Sequence, residues 1–502
     1  MEKKINKRNI KEYIKIIKDD LVVDKLNAVE WIVLGIIILA ILVTLFYQDN
    51  LGIYLVTYWI NEGLFTKGSI RFLGNNQLPY GIVQQVLCTL WVLPINLLHR
   101  IIDFDPACTA IVVWYKLSMS VGMTLCMKEM LTLGEILGIT KERRKWMMIL
   151  FSSTILVTLP VFHIAQTDII YAYIILVGIR YYLKDDLKRF LIAFAMAISC
   201  KTIAIFIFIP LVLMREKRIV YIIRDTFLGT VILVVERLWF KLIDKIDAAI
   251  TGRTSQIMFA KKEVVDGATV VTEKTLDEVN TGFFSHFYHK MLYFEFPAIR
   301  KGYLASVLVV LFALLCIWCY VQAKEDEMLW RQKTIYVTSV AWMIFFANAS
   351  PSPYWIVVLY PFWFLLFFMK PERIKTNLLL HNGFTLTMFL VYVVNTHWVY
   401  GGPSNLDYLL LKGLIKPGHD SVDGPYVARY LNNLGIESLM NVITALCLAT
   451  VIGLIVLNYH RVSIDDRLDE LQERKNMHSF TIWQIGILAV WYVINVWVVQ
   501  RW

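Results

Sequence analysis

Charged residues are scarce in this chain. Asp, Glu, Lys and Arg make up 18% of its 502 residues, hydrophobic residues make up 58%, and the mean hydropathy is +0.57. Soluble globular domains carry about 25% charged residues, so this composition excludes water as the main solvent of the protein. The sequence also lacks internal repeats, low-complexity tracts and any polar region large enough to fold alone. We therefore predict one membrane domain that covers residues 1–502.

Cysteine is scarce as well, with seven residues in the whole chain. The number is odd, and almost all of these residues lie within apolar stretches. Such a distribution is typical of packing positions rather than of a disulfide framework. We predict neither a disulfide framework nor a metal site.

Long apolar runs, in contrast, are abundant. Examples are residues 31–47, 303–320 and 439–457. A helix needs about 17 to 25 apolar residues to cross the hydrocarbon core of a bilayer. We therefore predict an all-α polytopic membrane protein with a bundle of about 11–13 transmembrane helices. The first run follows a charged segment and has no cleavage site behind it, so we interpret it as a retained anchor.

The net charge of +10 comes from short basic clusters beside the apolar runs, at 141–145, 184–189, 215–218, 324–333, 370–375 and 461–475. Such clusters mark cytoplasmic turns, whereas a nucleic-acid partner would favour one long basic stripe. The pattern predicts a multi-pass plasma-membrane protein with a cytoplasmic N-terminal segment, residues 1–30. Extracytoplasmic loops are predicted at residues 48–78, 241–300 and 398–435, and we expect these loops to form the active site.

Two segments do not fit a simple span. If residues 79–98 crossed fully, the basic cluster at 141–145 would fall outside, so we expect 79–98 to dip into or lie along the outer face. Residues 190–214 hold two apolar runs of about a dozen residues around Lys201, and neither run spans alone. A broken or re-entrant pair with Lys201 at its tip fits the basic clusters on both sides. A single tilted span is the alternative.

Ionisable residues beside or within apolar runs are costly and need a reason. Asp49 follows the first run, Asp168 lies between two runs that lead to basic clusters, and Lys201 lies deep in an apolar segment. By charge, both acids belong to the same outer face, and His163 and Gln166 lie within about one helical turn of Asp168. A shared polar pocket is one interpretation. The alternatives are a solvated helix end for Asp49, an N-cap for Asp168, and a Lys201 that snorkels or pairs with Asp168.

Four stretches of the sequence carry a resemblance to a known family. They are Gln166-Thr167-Asp168-Ile169-Ile170 with the later Lys201 and Pro210, Asp49 with Tyr54 and Trp59, the stretch from Asn75 to Gly81, and Ser352-Pro353-Tyr354-Trp355 with Pro361. In them the chain resembles GT-C-fold glycosyltransferases that use polyprenyl-phosphate-linked sugars, especially the bacterial and GPI-mannosyltransferase-like branches. That family carries Gly where this chain has Gln48 and Ala165. No second acid adjoins Asp49, which leaves a divalent metal doubtful.

The resemblance implies a transfer of a sugar, such as a mannose-like hexose, from a polyprenyl-phosphate donor to an acceptor hydroxyl on the extracytoplasmic face, with inversion. Asp49 is then the catalytic base, and Lys201 holds the phosphate of the donor. The other substrate-binding residues implied are Gln166, Asp168, His163, Tyr80, Tyr354 and Trp355. The implied partners are membrane lipids, the lipid-linked sugar, and a glycan or lipid acceptor.

Two alternative functions remain open at the level of sequence. A transporter or flippase of a lipid-linked or small polar substrate would also place ionisable groups in an outward cavity and use broken helices. An O-antigen ligase-like or polymerase-like enzyme would also be polytopic with long outer loops. A transporter should show inverted repeats and charges accessible from both faces. Here the candidate residues cluster on one face, which favours the transferase.

Overall fold

In a computed structural model of the protein, the described residues are 35, 50–75, 78, 80–106, 108–252, 259–265, 268–274, 293–295, 304–324, 326–349, 353–395, 433–460 and 470–493. The predicted cytoplasmic segment 1–30 and the candidate base Asp49 lie outside them. So do the apolar run 31–47, apart from residue 35, and most of the predicted loop 398–435.

Helices dominate the described residues, because a backbone in a bilayer must satisfy its hydrogen bonds within its own segment. The helices are α1 (Asn50–Lys67), α2 (Ile82–His99), α3 (Thr109–Ile136), α4 (Lys141–Ser153), α5 (Ile155–Thr158), α6 (Asp168–Leu183), α7 (Leu187–Cys200), α8 (Ile205–Arg215), α9 (Ile219–Thr251), α10 (Val307–Val321), α11 (Glu327–Asn348), α12 (Tyr360–Phe368), α13 (Ile374–Asn395), α14 (Met440–Leu457) and α15 (Glu470–Val493). Single turns of 3-10 helix lie at Arg71–Leu73, Thr202–Ala204, Pro353–Val358, Pro371–Arg373 and Ile436–Leu439, and a π-helical turn lies at Leu159–His163.

Two short antiparallel hairpins follow α9. Strand β1 (Phe259–Val265) pairs with β2 (Ala268–Lys274), and β3 (Tyr293–Glu295) pairs with β4 (Leu304–Ser306). The prediction of a loop at 241–300 is wrong for its first eleven residues, because residues 241–251 complete α9. The face of the membrane on which this segment lies stays a prediction.

Several helices are suited to a bilayer. Among the described residues, α2, α3 and α14 are long and apolar enough to cross, and α4 together with residues Ile155–Phe162 forms a fourth candidate that is bent by 65°. The apolar runs predicted at 303–320 and 439–457 correspond to α10 and α14. These helices confirm the all-α polytopic membrane class. The number of spans, about 11–13, stays a prediction.

The basic turns of the bundle lie at one end, which we call the basic end. Arg215 and Lys324 both reach the Asp185 carboxylate, with N–O distances of 3.1 and 3.4 Å. Arg331 donates a hydrogen bond of 2.9 Å to the carbonyl of Ile136, the last residue of α3. These contacts bring together the clusters predicted as cytoplasmic at 141–145, 184–189, 215–218 and 324–333.

Asp168 lies at the opposite end, which we call the Asp168 end. It begins α6, whose 16 residues run toward the basic end and span about 24 Å. Glu129 of α3 pairs with Arg180 near the end of α6, at 3.1 Å, whereas Gly122 of α3 backs onto Ile169. Helices α3 and α6 therefore run side by side in the same direction.

The contacts of α2 keep it at the Asp168 end. Its Trp91 ring stacks on the Trp114 ring of α3, with centroids 5.0 Å apart. Trp114 lies two turns before Gly122, so α3 has not yet reached the level of Ile169 at this point. The contacts therefore favour an α2 that lies across the end of the bundle over one that crosses to the basic end. With α2 placed so, the basic cluster after α3 no longer conflicts with the charge rule.

Helices α7 and α8 form a hairpin. The rings of Phe190 and Phe194 lie 5.6 and 5.3 Å from the ring of Phe208. In one continuous helix, Phe190 and Phe208 would be about 27 Å apart. The alternative of a single tilted span for 190–214 is thus wrong, and the chain folds back at residues 201–204. Because Asp185 and Arg215 pair at the basic end, the tip of this hairpin lies at the Asp168 end.

Candidate active site

The tip of the α7–α8 hairpin carries Lys201. Helix α7 ends at Cys200, and Lys201 adopts an extended conformation with φ −154° and ψ 118° before the 3-10 turn Thr202–Ala204 begins. The break points the chain toward the first turn of α6. Lys201 was predicted at the tip of a broken helix pair, and the structure shows the two short apolar helices on either side of it.

Lys201 and Asp168 form a buried ion pair. The Lys201 ammonium donates to both carboxylate oxygens of Asp168, at 2.7 and 2.9 Å. Gln166 Nε2 donates to the Oδ2 atom of the same carboxylate at 2.8 Å. The Asp168 side chain is 0% exposed and that of Lys201 is 11% exposed. Three donors thus hold one carboxylate that water cannot reach, which is the condition under which a buried charge is tolerated.

Aromatic rings surround the ammonium group. Its nitrogen lies 3.6 Å from the centroid of the Trp355 ring, 5.6 Å from that of Tyr171 and 5.9 Å from that of Tyr80. Each distance is within the range of a cation–π interaction. Tyr354, next to Trp355 in the 3-10 turn Pro353–Val358, is 7% exposed. The rings exclude water and stabilise a positive charge at this point.

The turn before α6 has an unusual backbone. Ala165 has a φ of 57°, in the left-handed region that favours glycine. The turn reverses the chain between the π-helical turn Leu159–His163 and Asp168, which directs Gln166 back onto the carboxylate of Asp168.

A buried glutamate ties α2 to the hairpin. Glu236 of α9 is 3% exposed, and its Oε2 atom accepts from Ser199 Oγ at 2.6 Å and from the backbone N–H of Ile82 at 3.0 Å. Gly81 lies so close that a Cβ atom there would be 1.9 Å from the Ser199 carbonyl oxygen. Ser199 is two residues from Lys201, so this glutamate fixes the start of α2 beside the ammonium.

The segment that carries Tyr80 is fixed from the other side by Gln85. The Gln85 Nε2 atom donates to the carbonyls of Tyr80 and Asn75, at 2.7 and 2.8 Å, and its Oε1 atom accepts from the Asn75 N–H at 2.8 Å. Gln85 is 3% exposed. One side chain of α2 therefore anchors the backbones of both Asn75 and Tyr80.

Unpaired polar atoms lie around the ion pair. Gln166 Oε1, Thr167 Oγ1 and the Tyr171 hydroxyl are buried and have no hydrogen-bond partner among the described residues. Buried polar groups are usually paired, and an exception needs an explanation. Three such atoms beside one ion pair indicate a place where a polar ligand completes the hydrogen bonding.

The predicted site residues divide into two groups. Gln166, Asp168, Lys201, Tyr80 and Trp355 come together at the Asp168 end, with Tyr354 in the same turn as Trp355. Their roles stay predictions. Asp49 and the side chain of His163 lie outside what the structure describes.

Sequence analysis missed two residues near this end. Lys201 is not the one deep cation of the apolar segments, because Lys116 of α3 is also 0% exposed. Glu236 drew no attention because it is 154 residues from its partner Ile82. Lys116 could have been found from the sequence, because it is a lysine within the apolar stretch 110–127. Nothing in the sequence around Glu236, in contrast, indicates its contacts. Among the described residues, no cluster of three or more His, Cys, Asp or Glu side chains could hold a metal ion.

No protein-family model matches the chain. A comparison with curated proteins likewise found no match. Among solved structures, the chain is similar to the crystal structure of ArnT from Cupriavidus metallidurans bound to undecaprenyl phosphate. The two are 13% identical, the match covers 92% of this chain and 78% of that chain, and the TM-score is 0.38. A similarity at this level carries no argument about activity, which has to be argued from the residues of this chain.

Proposed function

We propose that the protein is a membrane glycosyltransferase that moves a sugar from a polyprenyl-phosphate donor to an acceptor hydroxyl on the extracytoplasmic face. The observation that carries this proposal is the buried Lys201–Asp168 pair at a helix break, beneath aromatic rings and beside three unpaired polar atoms. A structural ion pair alone requires neither the break nor the unpaired atoms.

Lys201 would hold the phosphate of the donor. An ammonium group has three N–H donors, and two of the hydrogen bonds of Lys201 go to Asp168. The remaining donor is available to a phosphate oxygen, which in a low dielectric must be paired with a cation. Asp168 then acts as the positioning residue that keeps the ammonium at the tip of the hairpin.

The unpaired atoms would bind hydroxyl groups. Gln166 Oε1 accepts hydrogen bonds, and the hydroxyls of Thr167 and Tyr171 both donate and accept. A sugar offers groups of this kind on every face, and aromatic rings such as that of Trp355 pack against its C–H faces. A mannose-like hexose is the first donor sugar to test.

Asp49 is the proposed base. Its carboxylate would take the proton of the acceptor hydroxyl while that oxygen attacks the anomeric carbon from the side opposite the phosphate. The bond from the anomeric carbon to the phosphate oxygen breaks, and the electron pair leaves with the lipid phosphate, where Lys201 stabilises the charge. Helix α1 directly follows Asp49 and lies at the Asp168 end, since the Tyr54 hydroxyl contacts Ser118 Oγ of α3 at 2.6 Å. This position supports the proposal.

The extracytoplasmic placement follows from charge. The basic clusters share the basic end, and such clusters stay in the cytoplasm. The Lys201–Asp168 pair lies at the other end of α6, about 24 Å away. On this basis the N-terminal segment 1–30 would be cytoplasmic and the donor would approach from the outer leaflet.

The test supplies purified full-length protein with polyprenyl-phosphate hexoses and a mixed pool of glycan and lipid acceptors. We expect transfer with inversion, and we expect Asp49→Asn and Lys201→Ala each to lower the rate by about 10²-fold or more. The matched control is Lys333→Ala in α11, since Lys333 is also buried, at 6% exposed, but lies at the basic end. It should stay within about tenfold of the parent protein, a change of 1.4 kcal/mol or less.

A flippase for lipid-linked sugars is the second candidate, because broken helices also form transport sites. Reconstituted vesicles distinguish the two functions. Outward movement of the intact lipid-linked sugar, with no transfer to any acceptor, would support the flippase and end the transferase proposal. Full transferase activity in both Asp49→Asn and Lys201→Ala would instead contradict the assigned site.

A further inference from the structure

A cavity lies at the basic end, far from the candidate active site. It has a volume of about 650 Å³ and is bordered by the end of α6, the turn after α8 and the segment between α10 and α11. Its lining includes the charged residues Asp185, Arg215, Lys217 and Lys324 and the aromatic residues Tyr182 and Trp330. The proposed transfer reaction uses none of them.

Charge in the cavity is unbalanced. Arg215 and Lys324 share the single carboxylate of Asp185, at 3.1 and 3.4 Å. Lys217 has no acidic partner in the described part of the chain, and its ammonium donates to the carbonyls of Leu213 and Cys319, at 2.9 and 3.0 Å. Three helices, α6, α8 and α10, end there, and each C-terminus contributes about −0.5 charge. The three cations of the lining still exceed its one carboxylate and these three partial charges, so the cavity favours an anion.

The cavity is also amphipathic. Its floor is formed by Tyr182, Met214 and Trp330, which are 3%, 1% and 9% exposed, while Lys324 at the rim is 51% exposed. Tyr320 lies at the same rim, and its hydroxyl donates to the Lys217 carbonyl at 2.9 Å. Tyrosines with an apolar body and a hydrogen-bonded hydroxyl are typical of the boundary between the bilayer and water.

Two exposed apolar faces start at the cavity. Val321 and Ile317 of α10 are 67% and 61% exposed, and Ile219 and Val220 at the start of α9 are 68% and 76% exposed. Lys217, two residues before α9, contacts Cys319 of α10 and so brings the two helices together at this point. A free phosphate ion would gain nothing from these faces, whereas the acyl chains of a lipid would cover both.

We propose that this cavity binds the headgroup phosphate of an anionic phospholipid. The phosphate lies between Lys217, Arg215 and Lys324, and the acyl chains extend along α9 and α10. Basic pockets between membrane helices at the cytoplasmic face are known to bind such headgroups. The site is independent of the proposed transferase function, because it is built from other residues at the other end of the bundle.

The experiment measures phosphatidylglycerol binding to the detergent-purified full-length protein by native mass spectrometry. Phosphatidylcholine and inorganic phosphate are the comparison ligands. Lys217→Gln combined with Lys324→Gln removes two cations from the cavity. The matched control, Lys184→Gln combined with Lys188→Gln, removes two exposed cations from the same end but outside the cavity.

The parent protein should bind phosphatidylglycerol in preference to phosphatidylcholine. The cavity variant should bind it about thirtyfold more weakly, since each of the two cations beside the phosphate contributes about a fivefold factor. The control should change by about twofold at most, because its two cations do not line the cavity. An equal loss in both variants would overturn the proposal, because the effect would then be diffuse charge. Inorganic phosphate that displaces the lipid at equal concentration would also overturn it in favour of a free anion. Size-exclusion profiles and thermal unfolding show whether each variant is folded.

Discussion

The ion pair of Lys201 and Asp168 illustrates how a charge is maintained at membrane depth. Burying an ion costs several kcal/mol even after relaxation, and Asp168 is fully buried. Its carboxylate has three donors, two from Lys201 and one from Gln166. The pair is therefore stable only as a unit, and removal of one partner leaves the other as an unpaired charge.

We expect Lys201→Met to lower the free energy of unfolding by about 3–5 kcal/mol, because it leaves the Asp168 carboxylate unpaired. The double variant Asp168→Asn with Lys201→Met should recover most of that loss, since no buried charge remains. Thermal or denaturant unfolding in detergent measures both. A double variant no more stable than Lys201→Met would show that the pair has no coupled role in stability. The double variant should nevertheless be inactive in transfer, which separates the function of the Lys201–Asp168 pair from its contribution to stability.

Gly81 has a steric role. Its φ of −73° is open to any residue, so only the approach of the Ser199 carbonyl requires glycine. We expect Gly81→Ala to lower the unfolding temperature by several degrees, because a Cβ atom 1.9 Å from that oxygen forces the backbones apart. Gly383→Ala in α13 is the control, since no atom lies within 4 Å of its Cβ position, and it should raise stability by about 0.5–1 kcal/mol. The proposed role of Gly81 would be contradicted by equal behaviour of the two variants.

Part of the site could be predicted at this scale. Lys201 stands out because an ammonium in an apolar segment needs a partner, and Asp168 is an acid placed by charge at the same face. The pairing of Lys201 with Asp168 was among the stated alternatives, and the structure shows it. Lys116 was overlooked although the same reasoning applied to it. Asp49 lies outside the described residues, so its role still rests on the resemblance.

At the scale of elements, α9 organises the Asp168 end. Its buried residues Glu236, Phe240, Ile243 and Asp247 recur every three or four positions and form one stripe. Asp247 accepts from Ser69 Oγ at 2.7 Å, and Glu236 holds the start of α2. One helix thus positions both ends of the segment between α1 and α2.

The hydrogen bonds of Glu236 to Ile82 and Ser199 predict a local effect on dynamics. Glu236→Ala should increase hydrogen exchange in the peptide that contains Ile82, because the amide loses its acceptor and the start of α2 loses its attachment to Ser199. Glu129→Ala is the matched control, since Glu129 is also buried but pairs with Arg180 near the basic end. It should leave exchange at Ile82 unchanged. Similar exchange at Ile82 in all three proteins would show that Glu236 does not hold α2.

The helical break at Lys201 could be predicted from the sequence, but the helix that stabilises it, α9, could not be predicted in full. Two apolar runs too short to span predicted an interruption at Lys201, because span length is a local property. The continuation of α9 through residues 241–251 was missed, since polar residues there were interpreted as a loop. Their stripe of buried positions becomes visible only once Phe240 and Asp247 are seen to contact Gly74 and Ser69, in the segment between α1 and α2. Long-range contacts of this kind have no local signal.

At the scale of the whole molecule, charge and topology agree. The clusters at 141–145, 184–189, 215–218 and 324–333 meet at the basic end through specific contacts. Arg143 extends this arrangement to α15, with two hydrogen bonds of 2.7 and 2.8 Å to the carboxylate of Glu473. The bundle therefore has one strongly basic end and one end that carries the candidate active site, as positive-inside anchoring requires.

This arrangement predicts opposite accessibility for the two ends. In sealed right-side-out vesicles, a membrane-impermeant thiol reagent should label Lys67→Cys, at the end of α1, and should not label Lys188→Cys until the vesicles are opened. Lys324→Cys should behave as Lys188→Cys does, because Lys324 reaches Asp185 in the same turn. The native cysteines among the described residues are buried or half-buried, which keeps background labelling low. Labelling of positions 67 and 188 from the same side would contradict the proposed sidedness.

The hairpin of α7 and α8 returns the chain to the face from which it departed. Its presence therefore leaves the in–out parity of every later segment unchanged, and α9 begins on the side where α7 began. During biosynthesis, such a unit can enter as a closed loop, so none of the basic residues at its two bases has to be translocated. Lys201 is the only cation of the hairpin that must enter the membrane. It lies at the apex, where the carboxylate of Asp168 pairs with it.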